Sequence, residues 1–224
     1  MYLAVQSVNW NCTYKNISLL LWFSPRRLHG KNDGRRQARL DAKPRGGKAR
    51  TRTSKRMIYY YFGDKMGLYT QALEAAYHKV REGEASLDLD HLPPLEALEK
   101  LVSFTFDHHR RNPDFIRMVM IENIHQAEAL IASDKIRDLN IAAIEKLREI
   151  CVRGEKEGVF RSGLDPVALH WQISAASFFN VSNQPTFTAL FGGTLFGEAG
   201  QQYLRSQTVK AIVAIARSQA TFEP

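Results

Sequence analysis

From Ser54 onward, apolar residues recur at steps of three and four, as on the buried face of an amphipathic helix. The most regular example is the series Ile136, Leu139, Ala143, Leu147 and Ile150. No segment after Ser54 alternates apolar and polar residues in the manner of a half-buried strand. The fold class is therefore predicted to be all-α. The pattern predicts helices over 54–62, 64–83, 95–111, 115–126, 135–157, 166–181 and 201–220, with a turn and short element at 182–193.

Several of these helices have start and stop signals. Asp165-Pro166 supplies a capping side chain followed by a proline at the first helical position. Asn112-Pro113 ends one helix, and Asp114 is expected to cap the next, which is apolar on so many sides that it should be largely buried. Gly158 is expected to end the long helix that starts near Lys135.

Residues 1–53 lack this pattern. Between residues 25 and 53 the apolar residues are two leucines and three alanines, too few to offset the entropy lost on ordering the backbone, so we expect disorder there. The positive charge also lies here: residues 26–56 hold 13 Lys or Arg against two Asp, a net +11, whereas the rest of the chain sums to −3. A basic end on a mildly acidic body is typical of a protein that meets a polyanion.

The first predicted helix and the turn after it lie in the segment TSKRMIYYYFGDKMGLY, residues 53–69. Helical spacing puts Lys55 with Tyr59, and Arg56 with Tyr60, on one exposed face. Cationic side chains can bond guanine edges or phosphates, and tyrosine hydroxyls can donate to phosphate oxygens. Lys65 begins the next helix, where free N–H groups also favour a phosphate. Ile58, Tyr61 and Phe62 are predicted to face inward.

The stretch SKRMIYYYFGDKMGLYTQALEAAY resembles the recognition helix and following helix of the TetR family of bacterial transcriptional regulators. Tyr59, Phe62, Lys65 and Leu68 fall at the places of that family's aromatic block, its turn with a lysine, and the leucine soon after. The resemblance implies a helix-turn-helix DNA-binding domain followed by a helical ligand-binding and dimerisation domain. It implies that Lys55, Arg56 and Met57 approach bases, and that Tyr59, Tyr60 and Lys65 hold phosphates.

The predicted organisation has three parts: a basic segment over 1–53, the recognition helix and turn over 54–66, and the ligand-binding and dimerisation domain over 67–224. Family members place two further helices before the recognition helix, one ending near an "LF...G" pattern and one of the type "T...IA..AGVS". Neither pattern precedes Ser54. Residues 1–53 are therefore interpreted as a disordered or frame-displaced segment, with a genuine basic arm that binds DNA nonspecifically as the alternative.

The family resemblance also implies a small-molecule pocket in the helical body. Its expected lining combines adaptable apolar bulk with a few polar groups, as ligand cavities usually do. A packed core made of the same residues is the alternative. The candidates are Phe104, His108, Met118, Glu122, Trp171, Ser174 and Phe178.

The expected partners are double-stranded operator DNA, an unknown small-molecule effector and a second copy of the chain, joined through the last two long helices. No metal or other cofactor is expected: only one Glu-x-x-His motif occurs, and neither Cys12 nor Cys151 lies in a CxxC pair. With no apolar run long enough to span a membrane, the protein is expected to be cytoplasmic.

The predicted function is a DNA-binding transcriptional regulator, with repression as the expected mode, released from its operator by a ligand. One alternative is a helical ligand-binding dimer that has lost specific DNA binding through its aberrant N-terminal region. An enzyme built on a helix bundle is disfavoured, because no nucleophile–base set or paired carboxylate motif appears.

The frame-displacement hypothesis predicts that another reading frame upstream of codon 54 encodes an "IA..AG"-like pattern. Sequencing the gene and translating all frames upstream of that codon provides the test. Finding the pattern in no frame would rule the hypothesis out and leave the basic-arm interpretation.

Overall fold

The computed structural model describes residues 60–218, and every regular element within that range is a helix. The fold class predicted from the sequence is therefore confirmed for this part. Residues 1–53, together with Lys55, Arg56, Met57 and Tyr59, lie outside the described residues. The helices are α1 (Lys65–Ala85), α2 (Pro94–Arg111), α3 (Pro113–Ile124), α4 (Glu128–Ile131), α5 (Asp134–Lys156), α6 (Pro166–Ser182), α7 (Gln184–Phe191) and α8 (Glu198–Arg217), with a short 3₁₀ turn at Thr194–Phe196 before α8.

Local capping chemistry sets several helix ends where the sequence predicted them. A side-chain oxygen of Asp165 accepts a hydrogen bond of 2.9 Å from the N–H of Val167, and Pro166 occupies the first position of α6. Helix α2 ends before Asn112, whose N–H donates to the carbonyls of His108 and His109. Gly158, with φ of +68°, follows the end of α5.

The region around α3 differs from the sequence prediction. Asn112 holds the N-cap position, and Asp114 lies inside the first turn, where it pairs with Arg117 instead of capping. The helix is not largely buried: Ile116, Met118 and Glu122 are its buried residues, whereas Ile124 is exposed. Because α3 has apolar residues on several faces, its sequence did not show which face is covered. The helix also stops at Ile124, because residues 126 and 127 have positive φ and turn the chain into α4.

Helix α6 is the central element of the helical body. Within the described residues it contacts α2, α3, α5, α7 and α8. Apolar residues lie on nearly every face of this helix, so it needs apolar partners all round. The core is assembled from buried residues of α6 itself and of the surrounding helices and loops: Leu89, Ala97, Leu98, Leu101, Val102, Leu147, Ile150, Cys151, Phe160, Leu164, Leu169, Ile173, Ile212 and Ala216.

Gly154 shows how closely this core is packed. A Cβ atom at this position would lie 2.0 Å from the buried ring of Phe160, a separation that requires a glycine or a displaced ring. The N–H groups of Val159 and Phe160 both donate to the Gly154 carbonyl, so the ring is held over α5 by the backbone as well. The guanidinium of Arg153 donates to the carbonyls of Leu89, Asp90 and Leu92 and so ties the loop between α1 and α2 to α5.

Two buried amides join α6 to α8. The side chain of Asn180 donates to Gln201 at 2.9 Å, Gln201 donates back at 3.0 Å, and Gln201 also donates to the carbonyl of Leu195. Both side chains are buried in an otherwise apolar contact. Because each amide satisfies the other, the pair fixes the register of the two helices.

No helix in the described range is both long enough and apolar enough to cross a membrane.

Replacing Gln201 by Leu is expected to lower the free energy of unfolding by about 1–3 kcal/mol, because the amide of Asn180 would lose its partner while staying buried. The measurement is urea unfolding followed by circular dichroism. Gln202→Leu, one residue along on the exposed side of α8, is the matched control and should change stability little. Equal stability of the two variants would contradict the assigned role of the pair.

Candidate functional site

The segment from Tyr60 to Gly67 forms a tight turn between a helical stretch and α1. Gly63 has φ of +75°, a conformation that favours glycine. A Cβ atom on Gly67 would lie 2.1 Å from the carbonyl oxygen of Phe62, so this position also requires glycine. Asp64 closes the turn, because its side chain accepts a hydrogen bond of 2.7 Å from the Gly67 N–H. The turn that the sequence predicted at Gly63-Asp64 is confirmed.

Tyr60 and Lys65 are both exposed on this turn, Tyr60 before it and Lys65 at the first residue of α1. The first turn of α1 carries no acidic residue, but the exposed carboxylate of Asp64, immediately before it, takes up the Gly67 N–H, so Lys65 supplies the positive charge at this helix start beside one negative charge. These are two of the six DNA-binding residues expected from the sequence.

The prediction that Tyr61 turns inward is wrong for the described residues. Its side chain is 63% exposed, and its ring meets that of Tyr60 edge to face at 5.3 Å. Phe62 is half-buried. Helical phase assigned Tyr61 to the same side as Ile58 and Phe62, but phase alone does not show whether that side is covered.

A cavity of about 320 Å³ lies between helices of the body. We call it the Arg81 cavity. Three of the residues expected to line a pocket, Trp171, Ser174 and Phe178, are on its wall and come from one face of α6. The full lining is Tyr77, Val80, Arg81 and Glu84 from α1, Thr105 and His109 from α2, Phe115, Ile116, Val119 and Asn123 from α3, Asn140 from α5, and His170, Trp171, Ser174, Ala175 and Phe178 from α6.

The other four expected pocket residues do not line this cavity. Phe104 lines a surface groove between α2 and α8. The His108 ring lies between the rings of Phe104 and Phe115, and Met118 is buried in α3. A carboxylate oxygen of Glu122 accepts a hydrogen bond of 3.0 Å from the N–H of Leu130, which holds the turn between α3 and α4.

Arg81 is one of several residues of this cavity that were not expected from the sequence. Its guanidinium pairs with Glu84 and donates to the side-chain oxygen of Asn140 at 2.8 Å, and both members of the ion pair are largely buried. In the sequence, Arg81 follows the apolar stripe of α1 and looks like an ordinary surface arginine. Its burial depends on Asn140, 59 residues further along the chain, and no local signal shows that contact.

The histidines around the cavity are neutral at physiological pH. Burial lowers the pKa of His109 to about 4, with His108 and Arg81 adding to the effect and a backbone group of Ser177 acting against it. Burial lowers the pKa of His108 to about 4 and also lowers the pKa of His170. Burial raises the pKa of Tyr77, so this phenol keeps its proton as well.

A second cavity, of about 430 Å³, shares part of this wall. Asp88, Asp90 and Lys146 also line it, and we call it the Lys146 cavity. Lys146 pairs with Asp90, which lowers the pKa of the carboxyl and raises that of the amine. The four residues common to both cavities are Arg81, Glu84, Thr105 and His170.

In the described range, no three His, Cys, Asp or Glu side chains come together as ligands for a metal ion. Cys151 is buried in the core, and burial raises the pKa of its thiol to about 11. At neutral pH it therefore carries no thiolate for nucleophilic or metal chemistry.

Comparison with known proteins identifies the class to which this helical body belongs. The family profile described as "Tetracyclin repressor-like, C-terminal domain" matches residues 94–212. The HTH-type transcriptional repressor NicS of Pseudomonas putida is 35% identical over 138 residues, which are 62% of this chain and 65% of that protein. This chain thus spans just under two thirds of that relative's length.

Solved structures show the same fold. A bacterial regulatory protein of the tetR family from Rhodococcus RHA1 superimposes with a TM-score of 0.61 at 13% identity, over 96% of this chain and 100% of that chain. A transcriptional regulator from Streptomyces coelicolor has a TM-score of 0.53 at 22% identity, over 72% and 79% of the two chains. Because the family profile covers more than half of its residues, the chain belongs to the TetR family, and the resemblance seen in the sequence is confirmed.

The lowered pKa values predict that stability falls on acidification below about pH 6.5. The unfolded chain takes up protons there, whereas the folded chain holds His108 and His109 neutral down to about pH 4. In this window each such histidine lowers the free energy of unfolding by up to about 1.4 kcal/mol for each pH unit of acidification. Urea unfolding at pH 7, 6 and 5 measures it.

His109→Phe should flatten this slope, whereas replacement of the exposed His91 by Asn should leave it unchanged. An NMR titration of the unmodified chain gives an independent readout. A His109 ring that titrates near pH 6.5 in the folded state would contradict the prediction.

Proposed function

We propose that this protein is a TetR-type transcriptional regulator that represses transcription from operator DNA and releases it when a small molecule enters the helical body. The observation that carries the proposal is the turn from Tyr60 to Gly67, which presents an exposed phenol and an exposed lysine at the start of α1. Tyrosine hydroxyls, lysines and helix starts are the groups that proteins use to hold the phosphate backbone. Membership of the family and the similarity to the NicS repressor support it.

In this proposal residues 54–66 supply the recognition helix and turn, and residues 67–224 bind the effector and dimerise. Lys55, Arg56 and Met57 contact bases, while Tyr59, Tyr60 and Lys65 contact phosphates. The Arg81 cavity is proposed as the effector site, because its volume lies within the range of small-molecule pockets and its wall combines aromatic rings with a few polar groups. The protein acts in the cytoplasm and without enzymatic activity.

An exposed apolar surface on the last helices supports a homodimer. Val167, Trp171 and Phe179 on α6 are exposed, as are Leu190 and Phe191 on α7 and Tyr203 on α8. The Phe179 ring also contacts Phe187, which in turn contacts Phe191 and Phe196, so the surface extends as a continuous aromatic patch. Self-association would cover this patch, because large contiguous apolar patches on soluble proteins mark interaction sites.

The second candidate is a ligand-binding dimer that has lost specific DNA binding. The exposure of Tyr61 is the observation that favours it, because a recognition helix needs packing against its partner helices to fix its angle in the groove. Residual binding through the basic segment 26–56 would then be nonspecific and steeply dependent on salt.

The test is a nuclease-protection assay on the promoter region of the protein's own gene, compared with random DNA of equal length over a series of salt concentrations. The proposal predicts a protected site that persists at physiological salt on promoter DNA and is absent on random DNA. Equal binding to both, lost together as salt rises, would instead support the second candidate.

Two variants test the proposed dimer, by light scattering and by the same protection assay. Phe179→Glu puts a charge into the aromatic patch at a side chain that is 53% exposed, so it should yield a monomer in light scattering and lose promoter protection. Val152→Glu makes the same kind of change at a 57% exposed position on α5 and should remain a dimer that protects the promoter. A dimeric Phe179→Glu variant would refute the proposed interface.

A further inference from the structure

The Arg81 cavity opens to solvent on one side of its wall. Two of its lining residues are exposed, Asn123 of α3 and Trp171 of α6, and the others are buried or half-buried. Helices α3 and α6 pack against each other, so the entrance lies between them at Trp171. The Lys146 cavity opens elsewhere, because its exposed lining residues come from α1, the loop after α1 and α5: Ala85, Asp88, Asp90 and Ala142.

Trp171 belongs at the same time to the exposed apolar surface of α6. Val167, Trp171 and Phe178 follow one another at steps of four and seven, so they lie along one stripe of the helix. Val167 and Trp171 are 55% and 65% exposed, whereas Phe178 is half-buried and lines the cavity. The stripe that leads into the cavity is therefore apolar and uncovered at the entrance. An exposed indole in such a place is typical of an interface.

With this entrance uncovered, the cavity is an incomplete ligand site. Small-molecule pockets bury about 70–90% of the surface of a drug-sized ligand. An effector in the Arg81 cavity would remain in contact with water on the side of Asn123 and Trp171. A further apolar surface laid across the entrance would bury both the ligand and the indole.

The proposed dimer surface is large enough to reach the entrance. Trp171 and Phe179 are eight residues apart on α6, which is about 12 Å along a helix. A stable interface buries about 800 Å² on each partner, an area roughly 25–30 Å across. An interface centred on Phe179 therefore includes Trp171. Because a two-fold interface uses the same surface on both copies, both entrances are covered alike.

The chemistry of this surface fits a second copy of the chain. The exposed residues named above as the aromatic patch are all apolar or aromatic and carry no charge. Two identical patches can therefore face each other without the repulsion that two like-charged surfaces would suffer. The rings of Phe179 and Phe187 are in edge-to-face contact, so the patch continues from α6 onto α7 without interruption.

We infer that the Arg81 cavity is a composite ligand site, whose entrance at Trp171 is closed by the aromatic patch of a second copy of the chain. The inference rests on the proposed function, because it gives the proposed dimer a role in effector binding. Each copy completes the site of the other. Effector binding and dimerisation are then linked: an effector that contacts both copies stabilises the dimer, and dimerisation raises the affinity for the effector by the same factor.

The test measures how quickly a small reagent reaches the cavity in the monomer and in the dimer. Ser174 lines the Arg81 cavity and is half-buried, so Ser174→Cys puts a thiol there with little change in size. The chain also carries Cys12→Ser, while Cys151 can stay because burial raises the pKa of its thiol to about 11. The rate of alkylation by N-ethylmaleimide is measured over a dilution series that crosses the dimerisation midpoint found by light scattering.

In the dimer, Ser174→Cys should react about tenfold more slowly than in the monomer, a ratio within the range of coupled sites. Adding Phe179→Glu should restore the rate of the monomer at every concentration. Ala143→Cys is the matched control, because this position is also half-buried but lines the Lys146 cavity instead. Its rate should not depend on dilution. Circular dichroism checks that each variant is folded.

Three outcomes would overturn the inference. The first is a dimer in which Ser174→Cys reacts as fast as in the monomer. The second is a rate that is equally slow in both forms, because the entrance would then be covered by the same chain. The third is equal slowing of Ser174→Cys and Ala143→Cys on dimerisation, which would indicate a general tightening of the helical body.

The outcome is separable from that of the promoter assay. If the entrance closes on dimerisation but the promoter is not protected, the composite site stands and the proposed regulatory function fails. If the promoter is protected by a dimer in which Ser174→Cys stays reactive, the regulatory function stands and the composite site fails. A chain that is monomeric at every concentration refutes both the proposed interface and the composite site.

Discussion

Helix α6 must be covered along most of its circumference, and the arrangement of the helical body follows from this requirement. Its sequence is apolar on nearly every side, so leaving it in water would forfeit much of the burial that stabilises the chain. Helices α2, α3, α5, α7 and α8 all contact it. Its exposed apolar residues are Val167, Trp171 and Phe179. The core, the wall of the Arg81 cavity and the proposed dimer surface thus all include residues of this one helix, and Trp171 belongs to both the cavity wall and the exposed surface.

This arrangement explains why the cavity has polar groups at all. Several helices converge on it, and the space between them is closed by side chains that are too long or too polar to fill an apolar gap. Arg81 is held there by Glu84 and Asn140 from two different helices, so the guanidinium is fixed by its surroundings. A preorganised donor of this kind is well suited to recognition, because little side-chain entropy is lost when it is used.

The parts of the fold that were predictable from the sequence are those with local causes. The cap at Asp165, the stop at Asn112-Pro113 and the turn at Gly63-Asp64 each depend on neighbouring residues, and each appears where expected. Trp171, Ser174 and Phe178, which the family resemblance and their mix of apolar bulk and polar groups made candidates for a pocket, do line the Arg81 cavity.

What the sequence could not show depends on distant contacts. The burial of Arg81 requires Asn140 on another helix, and the role of Glu122 in holding a turn depends on a backbone group that lies eight residues away beyond an irregular bend. The exposure of Ile124 could not be read from a helix that is apolar on several faces. The inward orientation predicted for Tyr61 came from helical periodicity alone. Periodicity shows which residues share a side of the helix, but it does not show whether that side is covered.

The buried amides of Asn180 and Gln201 have a consequence for the evolution of this fold. Exchanging either residue for an apolar one removes hydrogen bonds from its buried counterpart, although Gln201 would keep its bond to the carbonyl of Leu195, whereas exchanging both at once leaves neither amide behind. The two positions, 21 residues apart in the chain, are therefore expected to be substituted together. Substitution at either position is therefore constrained by the residue at the other, and an apolar pair would pack without the directional bonds that set the register of α6 and α8.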